Sequence, residues 1–97
     1  MSGWKVSTSE NYTIRFSEEL VEFILDHQAA TNATTSWADY GQVFGTTTRP
    51  GQIVNFMEQY GSIMLRVNTN GKLQKKSITG SNVNANSLVA YAVWKKQ

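Results

Sequence analysis

TTTRPGQIVNFMEQYGSIMLRVNTNG, residues 46–71, is the stretch on which the reading of the whole chain turns. Thr46, Thr47 and Thr48 make a polar turn, and Pro50 suits the first turn of a helix, where a missing N–H is harmless. Ile53, Val54, Met57 and Tyr60 then recur at helical spacing, and Gly61 is a natural stop. Ile63, Leu65 and Val67 alternate as a strand. Asn68 to Gly71 closes a hairpin in which Asn70 and Gly71 are suited to positive φ, and Lys72 to Thr79 returns as a polar, basic strand. The segment therefore predicts a helix over 48–60, entered through a sharp turn and followed by a two-stranded projection over 63–79.

Upstream, SWADYGQVFG at 36–45 places Trp37, Tyr40, Val43 and Phe44 at helical spacing, with Ser36 and Asp39 as a capping pair and Gly45 as a stop. An aromatic strand from Ala38 to Phe44 is the alternative. Before it, Ser17 is a good helix N-cap. Glu18 and Glu19 follow where the helix dipole favours acids, and Phe16 with Val21 forms a hydrophobic staple. A helix is predicted from about Glu18 to Ala29, with Leu20, Ile24 and His27 on one face widened by Val21, Phe23 and Leu25, and 30–35 as a polar loop. Trp4, Val6, Tyr12, Ile14 and Phe16 alternate on either side of Ser9-Glu10-Asn11 and predict strand, turn, strand, with a single strand from Tyr12 to Phe16 after a loose N-terminus as the alternative. At the other end, 80–86 reads as a loop. Residues 87–96, SLVAYAVWKK, read as a strand, with a helix capped by Ser87 as the alternative. The expected fold class is α+β: two to three helices with an antiparallel sheet that includes a β-hairpin wing.

The 97 residues make one domain, long enough to bury a core without staples. The absence of cysteine removes disulfides, zinc–thiolate sites and cysteine nucleophiles together. The polar start, MSGWKVSTSE, has no apolar signal region, and no apolar run approaches the roughly 18–20 residues of a membrane helix. These features predict a cytoplasmic protein with no membrane partner. Charged residues are only 16% of the chain, while 11% aromatic content supplies area to bury and argues against disorder. The net charge of +2 is divided unevenly: −4 through Phe44 and +6 from Gly45 onward. Such a split predicts one positive face able to meet a polyanion. The competing reading is that lysines on surface strands resist edge-to-edge pairing.

Motifs for catalysis and metal binding are missing. The single histidine, His27, has no cysteine to pair with, no nucleophile elbow is present, and no recognisable ligand set exists. No cofactor is implied. On the expected helix, Arg49, Gln52, Asn55 and Gln59 lie off the apolar face, and amides can both donate to and accept from an adenine edge. Thr46, Thr47 and Thr48 would hold a backbone phosphate. Arg66, Lys72, Lys75 and Lys76 on the wing would neutralise others.

The order helix, short helix, threonine turn, helix, strand, Asn-Gly turn, strand resembles the winged helix-turn-helix superfamily. Tyr40-Gly41, Pro50-Gly51, Arg66-Val67 and Asn70-Gly71-Lys72 also resemble pieces of the DNA-binding domain of alkyltransferase-like proteins. That family's Pro-Cys-His-Arg site has no counterpart, and Val54 stands where its base-flipping arginine would fall, so alkyl transfer is not implied. The resemblance implies a winged-helix architecture and DNA binding. The leading functional expectation is therefore a small regulatory or accessory protein, monomeric or homodimeric, binding duplex DNA. A protein-interaction module of the phage- or plasmid-inhibitor type is the alternative, and a toxin-like ribonuclease the third reading.

Overall fold

The computed structural model describes residues 4–9, 11–27 and 30–96. These residues form ten β-strands and no helix, so the α+β, winged-helix expectation is overturned in favour of an all-β fold. In chain order the strands are β1 (Lys5–Thr8), β2 (Tyr12–Phe16), β3 (Leu20–His27), β4 (Thr31–Ala33), β5 (Ala38–Gln42), β6 (Val54–Met57), β7 (Ile63–Val67), β8 (Lys72–Ser77), β9 (Val83–Ala85) and β10 (Leu88–Lys95). All pairings are antiparallel. They build one sheet in the order β1-β2-β3-β10, a second in the order β5-β8-β7-β6, and a short β4-β9 pair.

The terminal strands and the β7–β8 hairpin follow the sequence reading. The Ser9–Tyr12 turn is closed by Ser9 N–H to Tyr12 O at 2.9 Å, although Glu10 in that turn lies outside the described residues. In the second hairpin, Gly71 takes φ 88°. A Cβ there would fall 1.9 Å from the Phe44 carbonyl oxygen, while Gly71 O accepts from Val43 and Phe44 N–H. Only glycine fits that approach. Within residues 87–96, Leu88–Lys95 form the expected strand, β10.

The first expected helix is instead the long strand β3. Ser17 accepts from Leu20 N–H at 3.2 Å, as an N-cap would. However, Ser17 N–H also donates to Leu20 O, closing a β2–β3 turn. Serine uses the same side-chain-to-backbone bond in both settings. Beyond the turn, Val21, Phe23 and Leu25 are fully buried while Leu20 and Asp26 are exposed, a period of two. The outward Leu20 and Ile24 are what made a helical stripe legible in the sequence. Residues 28–29, the end of that expected helix, lie outside the described residues.

The other two expected helices are strands as well. Residues 38–42 form β5, the strand alternative, with a register shift between Asp39 and Gly41. The threonine turn forms as read, with Thr48 and Arg49 N–H donating to Gly45 O. No helix follows. Pro50 bridges to Lys96, and the chain extends into β6. Val54 and Phe56 pack on the core, while Ile53 and Tyr60, expected on a buried helical face, are exposed. The two segments read as loops also pair, as β4 with β9, where Asn32 Nδ2 donates to Asn84 Oδ1.

One aromatic core joins the two four-stranded sheets. Phe23 on β3 meets Tyr12, Phe44 and Phe56 with ring centroids 5.8, 5.1 and 6.0 Å away. Phe44 continues to Trp94 on β10 at 4.9 Å. Trp94 Nε1 donates to the Thr48 carbonyl at 2.8 Å, so the indole is buried with its donor satisfied. Each buried ring of this cluster contributes about 1.5–3 kcal/mol relative to exposure.

The sheets also meet along their backbones at the β6–β7 turn. Glu58 bridges Ala90, and Gln59 N–H donates to Val89 O at 2.8 Å. The Glu58 side chain is buried, with 3% exposure. Its carboxylate accepts from Tyr60, Ser62 and Ile63 N–H and from the Ser62 hydroxyl. Burial pushes its pKa up, but these donors outweigh burial and hold it below the ordinary 4.5. A depressed carboxyl pKa contributes stability that is complete above the unfolded-state value and lost as pH falls through the folded one. Glu58→Ala is therefore expected to cost about 3 kcal/mol at neutral pH in urea unfolding. Glu58→Gln is expected to remove the part of the wild-type stability loss that develops below pH 4.5.

Candidate nucleic-acid interface

The outward face of the β5-β8-β7-β6 sheet collects polar and basic residues because the strands alternate. On β7, Ile63, Leu65 and Val67 point inward and are fully buried, leaving Met64 and Arg66 outward. On β8, Leu73 and Ser77 are buried, leaving Lys72, Gln74 and Lys76 outward. The register then aligns one row across all four strands: Asn55 opposite Arg66, Arg66 opposite Gln74, and Gln74 opposite Asp39.

Hydrogen bonds tie this row together. Arg66 Nε donates to Gln74 Oε1 at 2.7 Å, Asn68 Nδ2 donates to the same oxygen at 3.1 Å, and Gln74 Nε2 donates to Asp39 Oδ1 at 2.8 Å. Lys72 Nζ lies 3.2 Å from Asp39 Oδ2. The Gln74 hydrogen bond is the largest cause, and Lys72 the next, that holds the Asp39 carboxyl below its ordinary 3.8. Trp37, just before β5, lies over the row: the Arg66 guanidinium sits 4.1 Å and the Lys76 ammonium 5.7 Å from its ring centroid. Arg66 is thus held by one nitrogen and by stacking, while its Nη groups take no partner among the described residues. That leaves a guanidinium fork oriented in advance for an oxyanion.

Four of the residues expected from the sequence share this face: Asn55, Arg66, Lys72 and Lys76. Lys75 does not, because its odd position turns it to the other side of β8, where it lies 5.0 Å from the Tyr40 ring centroid. Thr46 and Thr47 are exposed in their turn, Thr48 is buried, and Arg49 is half-buried. Gln52 is exposed on the loop that borders a cavity of about 420 Å³ with Pro50 and Trp94. Gln59 is exposed at the β6–β7 turn. The stripe of Gln52, Asn55 and Gln59 expected on one helix face does not exist, because 54–57 is a strand. The sequence reading missed Trp37, Asp39, Asn68 and Gln74. The alternation Lys72-x-Gln74-x-Lys76 was a usable signal for Gln74; nothing local pointed to Trp37.

No group of His, Asp and Glu able to hold a metal ion occurs among the described residues. No protein-family model, no curated protein and no solved structure matches the chain. The hydrogen-bonded row has a direct test. The Asp39 carboxyl, followed by NMR, is expected to titrate below 3.8. In Gln74→Ala it should titrate higher, with Lys72 keeping part of the depression.

Proposed function

We propose that the protein binds single-stranded nucleic acid across the outer face of the β5-β8-β7-β6 sheet. The observation that carries this reading is the convergence of Arg66 and Lys76 on Trp37, with the Arg66 fork held in place and open and with Lys72 on the same face, paired to Asp39. Three cations against the single carboxylate of Asp39 leave this face net positive. Phosphates would be taken by Arg66, Lys76 and Lys72, and the half-buried Trp37 ring offers a stacking surface worth about 1–3 kcal/mol per base. Asn55 and Gln74 place amides along the same row.

A single strand suits this surface better than a duplex. The major groove is about 12 Å wide and admits a helix or a two-stranded ribbon. Four strands at about 4.8 Å spacing already exceed that width. A single strand can instead lie across an open sheet with its bases turned to side chains. Such a protein would act as an accessory or regulatory factor in the cytoplasm.

A second reading, a protein-interaction module, is favoured by the outer face of the β1-β2-β3-β10 sheet. Val6, Tyr91 and Val93 there are 60%, 52% and 50% exposed, with Trp4 and Leu20 beside them. Exposed apolar side chains gathered on one face mark interaction sites, and here Arg15 and Glu22 lie between Val6 and Val93. The charges at its centre are paired internally, Arg15 with Glu22 at 3.2 Å and Tyr91 Oη donating to Glu22 at 2.6 Å.

Binding to a single-stranded oligonucleotide over a salt series separates the two readings. Three neutralised phosphates predict a log–log slope near −2. That corresponds to roughly a fifteen-fold loss of affinity between 50 and 200 mM salt. Lys76→Ala should make the slope shallower by about 0.7, and a duplex of the same sequence should bind more weakly. Affinity indifferent to salt, or unchanged in Arg66→Ala and Lys76→Ala, would sink the proposal. If a protein partner is captured without nucleic acid, and Tyr91→Ser with Val93→Ser abolishes the capture, the second reading gains.

A further inference from the structure

β1 (Lys5–Thr8) ends the β1-β2-β3-β10 sheet and pairs with β2 alone. Among the described residues it is the one strand with every side chain exposed. Its own chain gives it pairing on one side and burial on neither face. A two-stranded ribbon without burial is marginal in water, and an unpaired edge is a template for another strand.

The hydrogen-bond parity of that edge follows from the turns. Ser9 N–H donates to Tyr12 O at 2.9 Å, which makes Ser9 and Tyr12 a hydrogen-bonded pair. Bonded and open pairs alternate along an antiparallel ladder. Ser7 with Ile14 and Lys5 with Phe16 are then bonded, and the N–H and C=O groups of Trp4, Val6 and Thr8 point to the free edge. The neighbouring ladder agrees. Asp26 N–H donates to Asn11 O and Ser17 N–H to Leu20 O, so Thr13 and Arg15 turn their backbone to β3, while Tyr12, Ile14 and Phe16 turn theirs to β1. Val6 and Thr8 lie opposite Arg15 and Thr13, on the outer face of the sheet. Lys5 and Ser7 lie opposite Phe16 and Ile14, on the inner face.

We infer that two copies of this chain associate through their β1 edges, antiparallel about a twofold axis at Val6. Only this register pairs all three open residues: Val6 with Val6 of the second copy, Trp4 with its Thr8, and Thr8 with its Trp4. Each bonded pair exchanges two hydrogen bonds, about six in all. Lys5, the only charge on β1, falls opposite Ser7 of the second copy. A slip of two residues one way would set Lys5 against Lys5, and like charges directly opposite are destabilising. A slip the other way would leave Trp4 unpaired. On the outer face Val6 and Trp4, 60% and 42% exposed, gain apolar neighbours at the axis. The contact is isologous and closes at two copies, joining two four-stranded sheets into one of eight strands. The basic face belongs to the other sheet, so this association stands whether or not nucleic acid binds there.

Sedimentation of the full-length protein over a concentration series, without nucleic acid, tests the contact. A monomer–dimer equilibrium is expected. Val6→Lys sets two ammonium groups face to face at the axis and should weaken association at least ten-fold. Val6→Glu should do the same alone, and an equimolar mixture of the two variants should restore the dimer. Val6 is exposed, so the circular dichroism of both variants should match the wild type. The chain has no cysteine, so Val6→Cys puts one thiol on each copy, with Cα atoms about 5.5 Å apart across the axis, within disulfide reach. It should cross-link under mild oxidation, and Thr8→Cys should not. A monomer at every concentration, or a dimer that Val6→Lys leaves intact, overturns the inference. A dimer lost in Tyr91→Ser but kept in Val6→Lys overturns it as well, by moving the contact from the edge to the face of the sheet.

Discussion

The fold depends on a carboxylate enclosed in a turn. Glu58 reaches into the loop that follows β6 and accepts from Tyr60, Ser62 and Ile63 N–H. These groups would otherwise be unpaired where the turn is pressed against the neighbouring sheet. With the turn closed, Gln59 N–H and the Glu58–Ala90 bridge attach β6 to β10. β10 is also the partner of β3 along eight residues. One ionised side chain therefore holds the corner at which two four-stranded sheets are joined. A buried charge is costly unless its hydrogen bonds are complete, and here the backbone completes them.

The aromatic core closes the space behind that corner. Phe56, Phe23, Phe44 and Trp94 come from four different parts of the chain and meet in that order, edge to face. With both inner faces committed to this cluster, whatever the protein binds must meet the two outer faces, the rims or the cavities. The outer faces differ in chemistry. One mixes exposed apolar side chains with charges that are paired internally; the other is basic, with an arginine stacked under a tryptophan. That division gives physical content to the uneven charge along the chain: four of the seven bases after Phe44 lie on the β7–β8 hairpin. Arg66, Lys72 and Lys76 face outward from it, whereas Lys75 faces a cavity beside His27.

Where sequence reasoning failed, two periodicities were present at once. In residues 20–27 the inward Val21, Phe23 and Leu25 alternate, but Leu20 and Ile24 on the other side complete a helical stripe. In residues 50–60, Pro50, Ile53, Val54, Met57 and Tyr60 satisfy a helix template, while Val54 and Phe56 satisfy a strand. Neither local pattern can choose between them. The choice is made by partners far along the chain: β10 for β3 and for the residues that end β6, and Lys96 for Pro50. Ser17 is the same case in miniature, because its hydroxyl caps free N–H groups equally well at a helix start or in a hairpin turn.

The sequence by itself determined the segments whose alternation and turn chemistry agree, the strand at 12–16 and the hairpin over 63–77, and favoured a strand over a helix at 87–96. It also determined the concentration of positive charge after Phe44. In those segments the decisive interactions are local, so short-range chemistry is enough. Tertiary structure alone decided that 20–27, 38–42 and 54–57 are strands, since each is chosen by a distant partner. It alone paired 31–33 with 83–85, brought Trp37 over Arg66 and Lys76, and set His27, Tyr40 and Lys75 around one cavity. Those groupings arise from strand register and sheet packing, which no run of neighbouring residues encodes.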